Sequence, residues 1–102
     1  MGVLIRVAAR NYVGPGKAIA VEPAGQRIAV FNVDGTYYAL GDTCTHRGGP
    51  LSEGKVKETT VTCPWHGAQY DLRTGNVLSP PAPQGVRNYR VVVEDDDIKI
   101  EI

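Results

Sequence analysis

Long hydrophobic runs are absent from this chain, and cysteine and histidine are scarce. The N-terminal segment MGVLIRVAARN has only a few apolar residues before Arg6 interrupts it. This stretch is too short for the hydrophobic region of a signal peptide and far too short to span a bilayer. We therefore expect no membrane association and a cytoplasmic location. Because thiols stay reduced in that compartment, the two cysteines favour a metal or catalytic role over a disulfide.

The chain also lacks an excess of charge of either sign. Its 11 basic and 11 acidic residues give a formal net charge of zero. A nucleic-acid-binding protein needs a basic surface, so we expect no nucleic-acid partner. With 42% hydrophobic and 22% charged residues, the 102 residues have the composition of a globular protein. The length predicts a single domain spanning residues 1–102.

Helical periodicity is a further absence, since no segment predicts a long helix. Glycine and proline recur every eight to twelve residues, and the apolar residues between them mostly alternate with polar ones. Asp34-Gly35 is typical of a type I′ hairpin turn. The predicted strands in the first part of the chain are Val3 to Ala8, Lys17 to Glu22, Arg27 to Val33 and Thr36 to Leu40. The fold class predicted is all-β, a small antiparallel sandwich or barrel.

The second half continues the same pattern. KVKETTVTC alternates apolar and polar residues from Lys55 to Cys63, and Arg73-Thr74-Gly75 predicts a tight hairpin. SPPAPQG, from Ser79 to Gly85, predicts a surface loop because proline is excluded from helix interiors and central strands. GPLSEG is long enough for one helical turn. The chain closes with VRNYRVVVE, an acidic turn at Asp95 to Asp97, and IKIEI.

All the cysteines and histidines fall in two loops rich in glycine and proline. The first loop contains Cys44-x-His46, and after sixteen intervening residues the second contains Cys63-x-x-His66. Each loop offers one thiolate and one imidazole, whereas zinc fingers usually place cysteines on a knuckle and histidines on a helix. We expect the two cysteines to converge on one metal and the two histidines on its neighbour. Such a ligand set is that of a Rieske [2Fe–2S] cluster.

The loops and their surroundings resemble one family. CTHRGGPLSEG followed by CPWHGAQYDLRTGNVLSPPA closely resembles the Rieske-type ferredoxins of bacterial oxygenase systems, and the likeness extends through NYRVVVEDDDIKIEI. The resemblance implies a cluster-binding part at about residues 42–80, formed by two loops inserted between strands. It also implies one [2Fe–2S] cluster per chain.

The donor chemistry supports this interpretation. Thiolates suit iron–sulfide bonding, and neutral imidazole holds iron without adding negative charge, so the reduction potential rises relative to an all-cysteine cluster. Alongside the ligands, the loop residues Arg47, Gly48, Trp65 and Gly67 are predicted to support the cluster. The glycines let the backbone turn tightly and point N–H groups at sulfur atoms.

Respiratory Rieske proteins differ from this chain at three positions. Where they carry two extra cysteines, this chain has Gly49 and Trp65, and Ala68 stands where their second loop tends to have serine. Tyr70 is retained. Because a hydroxyl donor to the cluster is missing, the resemblance predicts a potential toward the lower end of the Rieske range of about −150 to +300 mV.

The function implied by the resemblance is one-electron transfer from a NAD(P)H-dependent flavoprotein reductase to a terminal oxygenase. Ring-hydroxylating oxygenases also contain a Rieske domain, but they hold a second iron on two histidines and a carboxylate. This chain has two histidines in total, and the cluster uses both. We therefore predict an electron carrier and not an enzyme. The resemblance further implies a monomer that docks transiently.

Other interpretations of the four residues remain open. The chain could be the small accessory subunit of an assimilatory nitrite reductase, although many of those lack the four ligands. A structural zinc module is a further alternative. A Cys44–Cys63 disulfide would leave the loop histidines unexplained, and a Cys–His nucleophile would lack a third orienting residue.

Overall fold

The computed structural model of the protein describes residues 2–43, 50–65, 67–79 and 85–102. In these ranges the chain forms short β-strands and three single-turn 3-10 helices, which confirms the all-β prediction. Here no helix is long and apolar enough to cross a membrane. The strands are β1 (Leu4–Ala9), β2 (Ala18–Val21), β3 (Ile28–Val33), β4 (Thr36–Gly41), β5 (Lys55–Lys57), β6 (Thr60–Thr62), β7 (Gln69–Asp71), β8 (Val77–Ser79), β9 (Asn88–Tyr89), β10 (Val91–Glu94) and β11 (Asp97–Glu101).

The strands form three antiparallel sheets. Their orders are β1-β11-β10, β2-β3-β4-β9 and β5-β6-β7-β8. We call them the terminal sheet, the central sheet and the loop-bearing sheet. The polypeptide leaves the central sheet after β4, forms the whole loop-bearing sheet, and returns at β9 to pair with β4 again.

The central sheet is buried on both faces. On β3, Ile28 and Val30 belong to one apolar cluster with Ile98 and Ile100 of the terminal sheet. The next residue along β3, Phe31, belongs to a second cluster that includes Tyr70 of the loop-bearing sheet. Alternate residues of a strand point to opposite faces, so a strand covered on both sides needs a continuous apolar run. The IAVF sequence of β3 meets that requirement. The three sheets therefore form three layers, with the central sheet in the middle.

The hairpin between β3 and β4 confirms the turn predicted at Asp34-Gly35. Both residues have positive φ, 52° and 90°, as a type I′ turn requires. The side chain of Asn32 is buried beneath the turn, and its Oδ1 accepts the Gly35 N–H at 2.8 Å. Its Nδ2 donates to the carbonyl of Val13 at 2.8 Å. Asn32 is therefore a satisfied structural residue that ties the turn to the preceding loop.

The segment from Lys55 to Cys63 differs from the sequence-based expectation. Its alternation indicates no turn, but the structure divides it into β5 and β6, which pair antiparallel with Lys57 opposite Thr60. Glu58 takes φ 56° in the two-residue turn. Glutamate is not a typical residue for a turn with positive φ, so no residue type at this position indicates a turn.

The C-terminal region is also divided. VRNYRVVVE contributes β9 to the central sheet and β10 to the terminal sheet. The predicted acidic turn is confirmed, since Asp95 and Asp96 both have positive φ and Glu94 pairs with Asp97. The hairpin predicted at Arg73 to Gly75 is confirmed by the β7–β8 pairing. Of the predicted proline loop, residues 80–84 lie outside the described part of the chain.

Candidate metal centre

Described elements flank both Cys/His loops. The first loop connects β4 to the segment before β5, and the second connects β6 to β7. Cys63, Trp65 and Gly67 lie within the described residues. The remaining predicted site residues, Cys44, His46, Arg47, Gly48 and His66, lie outside them. The geometry of the site is therefore given by Cys63 and by the ends of both loops.

Cys63 begins the second loop directly after β6 and is buried, with 2% of its surface exposed. Its N–H donates to the carbonyl of Ala68 at 2.7 Å, which closes the loop across four intervening residues. Gly67 has φ 77°, a left-handed conformation that side chains rarely adopt. The second loop is thus a tight turn that holds its cysteine inside the molecule.

Trp65 lies in the same loop but at the surface. Its side chain is 49% exposed, whereas Leu51, which follows the first loop, is fully buried. The structure places Leu51 in the core with Cys63 and leaves half of Trp65 on the surface beside it.

The first loop is closed at its base by backbone contacts. Thr43 and Pro50 form an isolated antiparallel bridge on either side of residues 44–49. One residue further out on each side, the N–H of Leu51 donates to the carbonyl of Asp42 at 2.7 Å. The chain then enters the 3-10 helix Leu51–Glu53, where a single helical turn was predicted. Backbone contacts on both sides of residues 44–49 therefore close the base of the first loop.

The ends of the two loops are packed together. Leu51, from the end of the first loop, and Cys63 and Ala68, from the second, belong to one buried apolar cluster. Gly54 lies so close to β6 that an added Cβ would collide with the carbonyl oxygen of Thr62, the residue before Cys63. The bases of both loops are therefore held side by side, as a shared metal centre requires.

Tyr70 and Ala68 line the same cluster, and both are fully buried. Tyr70 sits on β7 opposite Val61 of β6. Ala68 contributes a methyl group where respiratory Rieske proteins tend to place a serine hydroxyl. At position 68, then, the described core next to Cys63 gains an apolar contact and no side-chain donor.

A third segment is fixed against the loop-bearing sheet. The N–H of Val86 donates to the carbonyl of Gly75 at 2.8 Å, and the side-chain amide of Asn88 donates to the carbonyl of Arg73 at 3.1 Å. The two segments lie so close that a Cβ on Gly85 would collide with the carbonyl oxygen of Gly75, and a Cβ on Gly75 with the carbonyl oxygen of Val86. The end of the proline segment is therefore anchored to the β7–β8 turn.

The same turn carries the one carboxyl group with a resolved pKa shift in the described structure. Arg73 donates from its side chain to Asp71, at 3.2 Å from Nε and 3.2 Å from Nη2, and its backbone N–H also donates, at 2.8 Å. These bonds favour the ionised carboxylate, so the pKa of Asp71 lies below its ordinary value. The pair fixes the turn that holds Gly85 and Val86.

Comparison with known proteins decides the family. The model of the Rieske [2Fe-2S] domain matches residues 3–90. The chain belongs to the Rieske family. Its cofactor is a Rieske-type [2Fe–2S] cluster.

Two Rieske relatives match nearly the whole chain. The biphenyl dioxygenase ferredoxin subunit of Pseudomonas sp. (strain KKS102) is 38% identical over 90 residues, which cover 87% of this chain and 83% of the relative. The 3-phenylpropionate/cinnamic acid dioxygenase ferredoxin subunit of Escherichia coli (strain K12) is 40% identical over 88 residues, which cover 85% and 82%.

Solved Rieske structures share the fold. In the complex of reduced oxygenase and oxidized ferredoxin of carbazole 1,9a-dioxygenase, one chain superimposes with a TM-score of 0.90 at 30% identity, covering 97% of this chain and 93% of that one. The nitrite reductase small subunit from Mycobacterium tuberculosis superimposes with a TM-score of 0.91 at 24% identity, covering 100% and 96%. At that identity the second likeness shows the fold alone.

The described part of the Rieske site fits a cluster. Cys63 supplies a soft sulfur donor from a buried position, and the apolar residues Leu51, Val61 and Ala68 around it exclude water. Exclusion of water and a fixed backbone are the protein contributions that tune a cluster of this kind. The donor chemistry and the burial of Cys63 are both those that an iron–sulfur cluster requires.

Sequence reasoning missed one residue of this region, Asp42. Its carboxylate is 1% exposed and lies at the base of the first loop. The available signal was a charged residue directly after the apolar strand β4 and two positions before Cys44. That signal is weak, because aspartate after a strand is also typical of an ordinary turn.

Proposed function

We propose that this Rieske protein is a one-electron carrier that takes electrons from a NAD(P)H-dependent flavoprotein reductase and passes them to a terminal oxygenase. One observation carries the proposal: the intact Cys44-x-His46 and Cys63-x-x-His66 motif lies in a chain that dioxygenase ferredoxin subunits match over more than four fifths of its length. The family match and the burial of Cys63 support it.

The proposed ligand set divides between two irons. Cys44 and Cys63 hold one iron, and His46 and His66 hold the other, with Arg47, Gly48, Trp65 and Gly67 supporting the loops. When bound, the cluster supplies a site that accepts and releases a single electron at a potential set by its mixed ligands. The first loop brings Cys44 and His46, and the second brings Cys63 and His66.

The protein matrix around Cys63 has two tasks in this function. Leu51, Ala68 and Tyr70 are fully buried and keep water from the sulfur side of the site. Trp65 is half exposed next to Cys63 and provides an apolar surface at the same end of the molecule. Tryptophan is enriched at the energetic centres of protein interfaces. We propose that the electron-transfer partner docks on this end of the molecule.

An oxygenase is the proposed acceptor. A chain of the carbazole 1,9a-dioxygenase ferredoxin–oxygenase complex shares the fold at 30% identity, and both curated relatives are named as ferredoxin subunits of dioxygenases. With two histidines in total, the chain has none left for a mononuclear iron on two histidines and a carboxylate. We therefore propose a carrier without an enzymatic activity of its own.

The remaining features of the proposal follow from the same role. Residues 1–102 form one Rieske domain, with the cluster-binding part at about residues 42–80. The protein works in the cytoplasm as a monomer that docks transiently with each partner, and it binds neither nucleic acid nor membrane. A carrier that exchanges electrons with two partners in turn needs small, reversible interfaces.

The first test is the composition and redox behaviour of the purified protein. We expect a red-brown protein with about two irons and two labile sulfides per chain and a paramagnetic signal on reduction. Cys63→Ala removes one sulfur ligand, and we expect it to lose the colour and the iron. The matched control is Ala68→Ser, which adds a hydroxyl in the same loop and should keep both irons. Colourless protein with one zinc would overturn the proposal in favour of a structural module.

A second experiment tests the partners. The reduced protein is mixed with a Rieske dioxygenase depleted of its own ferredoxin, and substrate hydroxylation is measured with NADH and a flavoprotein ferredoxin reductase. We expect turnover that requires both the reductase and the wild-type chain and that Cys63→Ala does not support. A chain that holds its cluster, is reduced by the reductase, and gives no turnover with the oxygenase would point to a nitrite reductase subunit instead.

A further inference from the structure

Asp42 makes more hydrogen bonds than an ordinary turn residue. Its N–H donates to the carbonyl of Arg27 at 3.1 Å, and its own carbonyl accepts the N–H of Leu51 at 2.7 Å. One carboxylate oxygen accepts the N–H of Ser52 at 2.7 Å, and the other accepts Nη2 of Arg27 at 3.0 Å. Every backbone and side-chain polar group of Asp42 therefore has a partner.

These bonds join three segments at the base of the first loop. Arg27 directly precedes β3, Asp42 follows β4, and Leu51 and Ser52 belong to the 3-10 helix after the loop. Asp42 lies two residues before the loop 44–49, and Leu51 and Ser52 follow the loop. The chain after the loop that contains Cys44 and His46 is thus hydrogen-bonded to Asp42 at the start of the loop, and Asp42 is in turn hydrogen-bonded to Arg27.

The charge of Asp42 is balanced from outside. Its side chain is 1% exposed, while that of Arg27 is 54% exposed. Burying an unpaired carboxylate is costly, and even a buried ion pair seldom adds net stability compared with apolar packing. Overall stability is therefore a poor explanation for a buried aspartate at this position, even one paired with arginine. Its contacts point to a local task, which is to fix the spacing of the loop ends.

The ion pair between Arg6 and Asp97 provides a contrast. It has a distance of 2.8 Å, but Asp97 is 34% exposed and lies on β11 in the terminal sheet. That pair joins β1 and β11, two neighbouring strands of the terminal sheet. A cavity of about 270 Å³ opens next to the Arg27–Asp42 pair and is also lined by Thr43 and Pro50. Solvent therefore reaches the base of the first loop from the Arg27 side.

We propose that Asp42, charge-balanced by Arg27, is the positioning residue for Cys44 and His46. It holds the two ends of the first loop at the separation at which both donors reach the irons. The inference rests on the proposed ligand set, and it assigns a role in cluster retention to two residues outside both motifs. Removing the carboxylate takes away the acceptor of the Ser52 N–H and of Arg27 Nη2, while the backbone hydrogen bond from Leu51 remains and Cys44 and His46 stay in the chain.

The test compares Asp42→Ala with Asp97→Ala as the matched control, since each removes a carboxylate paired with arginine. Iron transfer from the purified holoprotein to a ferrous chelator is followed by absorbance, and the paramagnetic signal of the reduced protein is recorded. We expect Asp42→Ala to lose iron about 10- to 100-fold faster than wild type, the loss typical when groups that orient ligands are removed. Its signal should also change shape. Asp97→Ala should match wild type in both.

A second set of variants keeps the inference testable where Asp42→Ala does not fold. Arg27→Gln leaves the buried carboxylate unbalanced and should speed iron loss. Adding Asp42→Asn to Arg27→Gln removes that charge yet keeps an oxygen for the Ser52 N–H, so the double variant should lose iron more slowly than Arg27→Gln alone. Additive effects of the two substitutions on the rate of iron loss would overturn the inference.

The outcomes separate this inference from the proposed function. If wild-type protein binds no [2Fe–2S] cluster, the proposed function fails. If wild type binds the cluster and Asp42→Ala keeps both its iron and its signal, or if Asp97→Ala loses iron equally fast, the positioning role fails while the function stands.

Discussion

The terminal sheet and the loop-bearing sheet cover opposite faces of the central sheet, but they are built differently. In the terminal sheet, β1 has six residues and β11 has five, and its buried residues Ala8, Ile98 and Ile100 lie on strands. In the loop-bearing sheet every strand has three residues. Of its buried residues, only Val61 and Tyr70 lie on strands.

The other buried residues on the loop-bearing side come from turns and loops. They are Leu51, Cys63, Ala68 and Leu72. The buried residues of the terminal sheet therefore come from its strands, whereas on the loop-bearing side most of the buried residues come from turns and loops. The same contacts that stabilise this side also fix the metal centre. A substitution in its core should therefore affect the cluster and the fold together.

Truncating one core residue on each side of the central sheet tests this difference most directly. Phe31→Ala opens a cavity between the central and loop-bearing sheets and should lower the free energy of unfolding by about 3–5 kcal/mol. Ile98→Ala opens one on the other side and should cost about 2–5 kcal/mol. Both losses are measured by urea unfolding. We expect only Phe31→Ala to release iron faster to a chelator under conditions in which both variants are folded. Equal rates of iron release from the two variants would show that the two sides of the central sheet do not differ in their effect on the cluster.

A smaller effect is expected from the contact between the loop ends. Gly54→Ala places a methyl group against the carbonyl of Thr62, a backbone atom that moves only if β6 moves. Overpacking of this kind costs about 1–3 kcal/mol. We expect a lower unfolding midpoint together with a changed visible absorption spectrum. Gly14→Ala is the control, because the nearest atom to its added Cβ is Cγ of Lys17 at 3.9 Å. If the absorption spectrum of Gly54→Ala is identical to that of wild type, the contact between the loop ends does not influence the cluster.

The smallest effect concerns Asp71 and Arg73 in the β7–β8 turn. Because hydrogen bonds from Arg73 lower the pKa of Asp71 in the folded protein, this pair stabilises the fold at neutral pH, and the contribution disappears as the pH falls through that lowered pKa, below about pH 4. Asp71→Asn lacks the contribution at every pH. The difference in unfolding free energy between wild type and Asp71→Asn should therefore be present at pH 7 and shrink below pH 4. A difference that grows with acidity would contradict the assigned direction.

The sequence predicted most strands because alternation and turn residues are local signals. Asp34-Gly35 and the Asp95–Asp96 turn both take positive φ as their residue types suggest. The turn at Glu58 was missed because glutamate does not favour positive φ, and pairing between β5 and β6 compensates for it. The division of VRNYRVVVE was missed because β9 and β10 choose their sheets by non-local pairing with β4 and β11.

The candidate site was predicted in its residue types but not in its support. Cys63 could be recognised from its motif, whereas Asp42 and Gly54 became visible only through contacts with Ser52 and Thr62. Those contacts join segments that are separate in the sequence. No pattern of neighbouring residues in the sequence indicates these contacts.

The all-β class could be predicted from the sequence alone, and so could the presence of one thiolate and one imidazole in each of two loops. These properties depend on residue type and near-neighbour spacing, which a linear pattern records. Only the tertiary structure decided that β3 is covered on both faces, that the loop ends share one core, and that Asp42 holds the base of the first loop. Burial and long-range hydrogen bonds are set by which segments meet, so they exist only once the chain has folded.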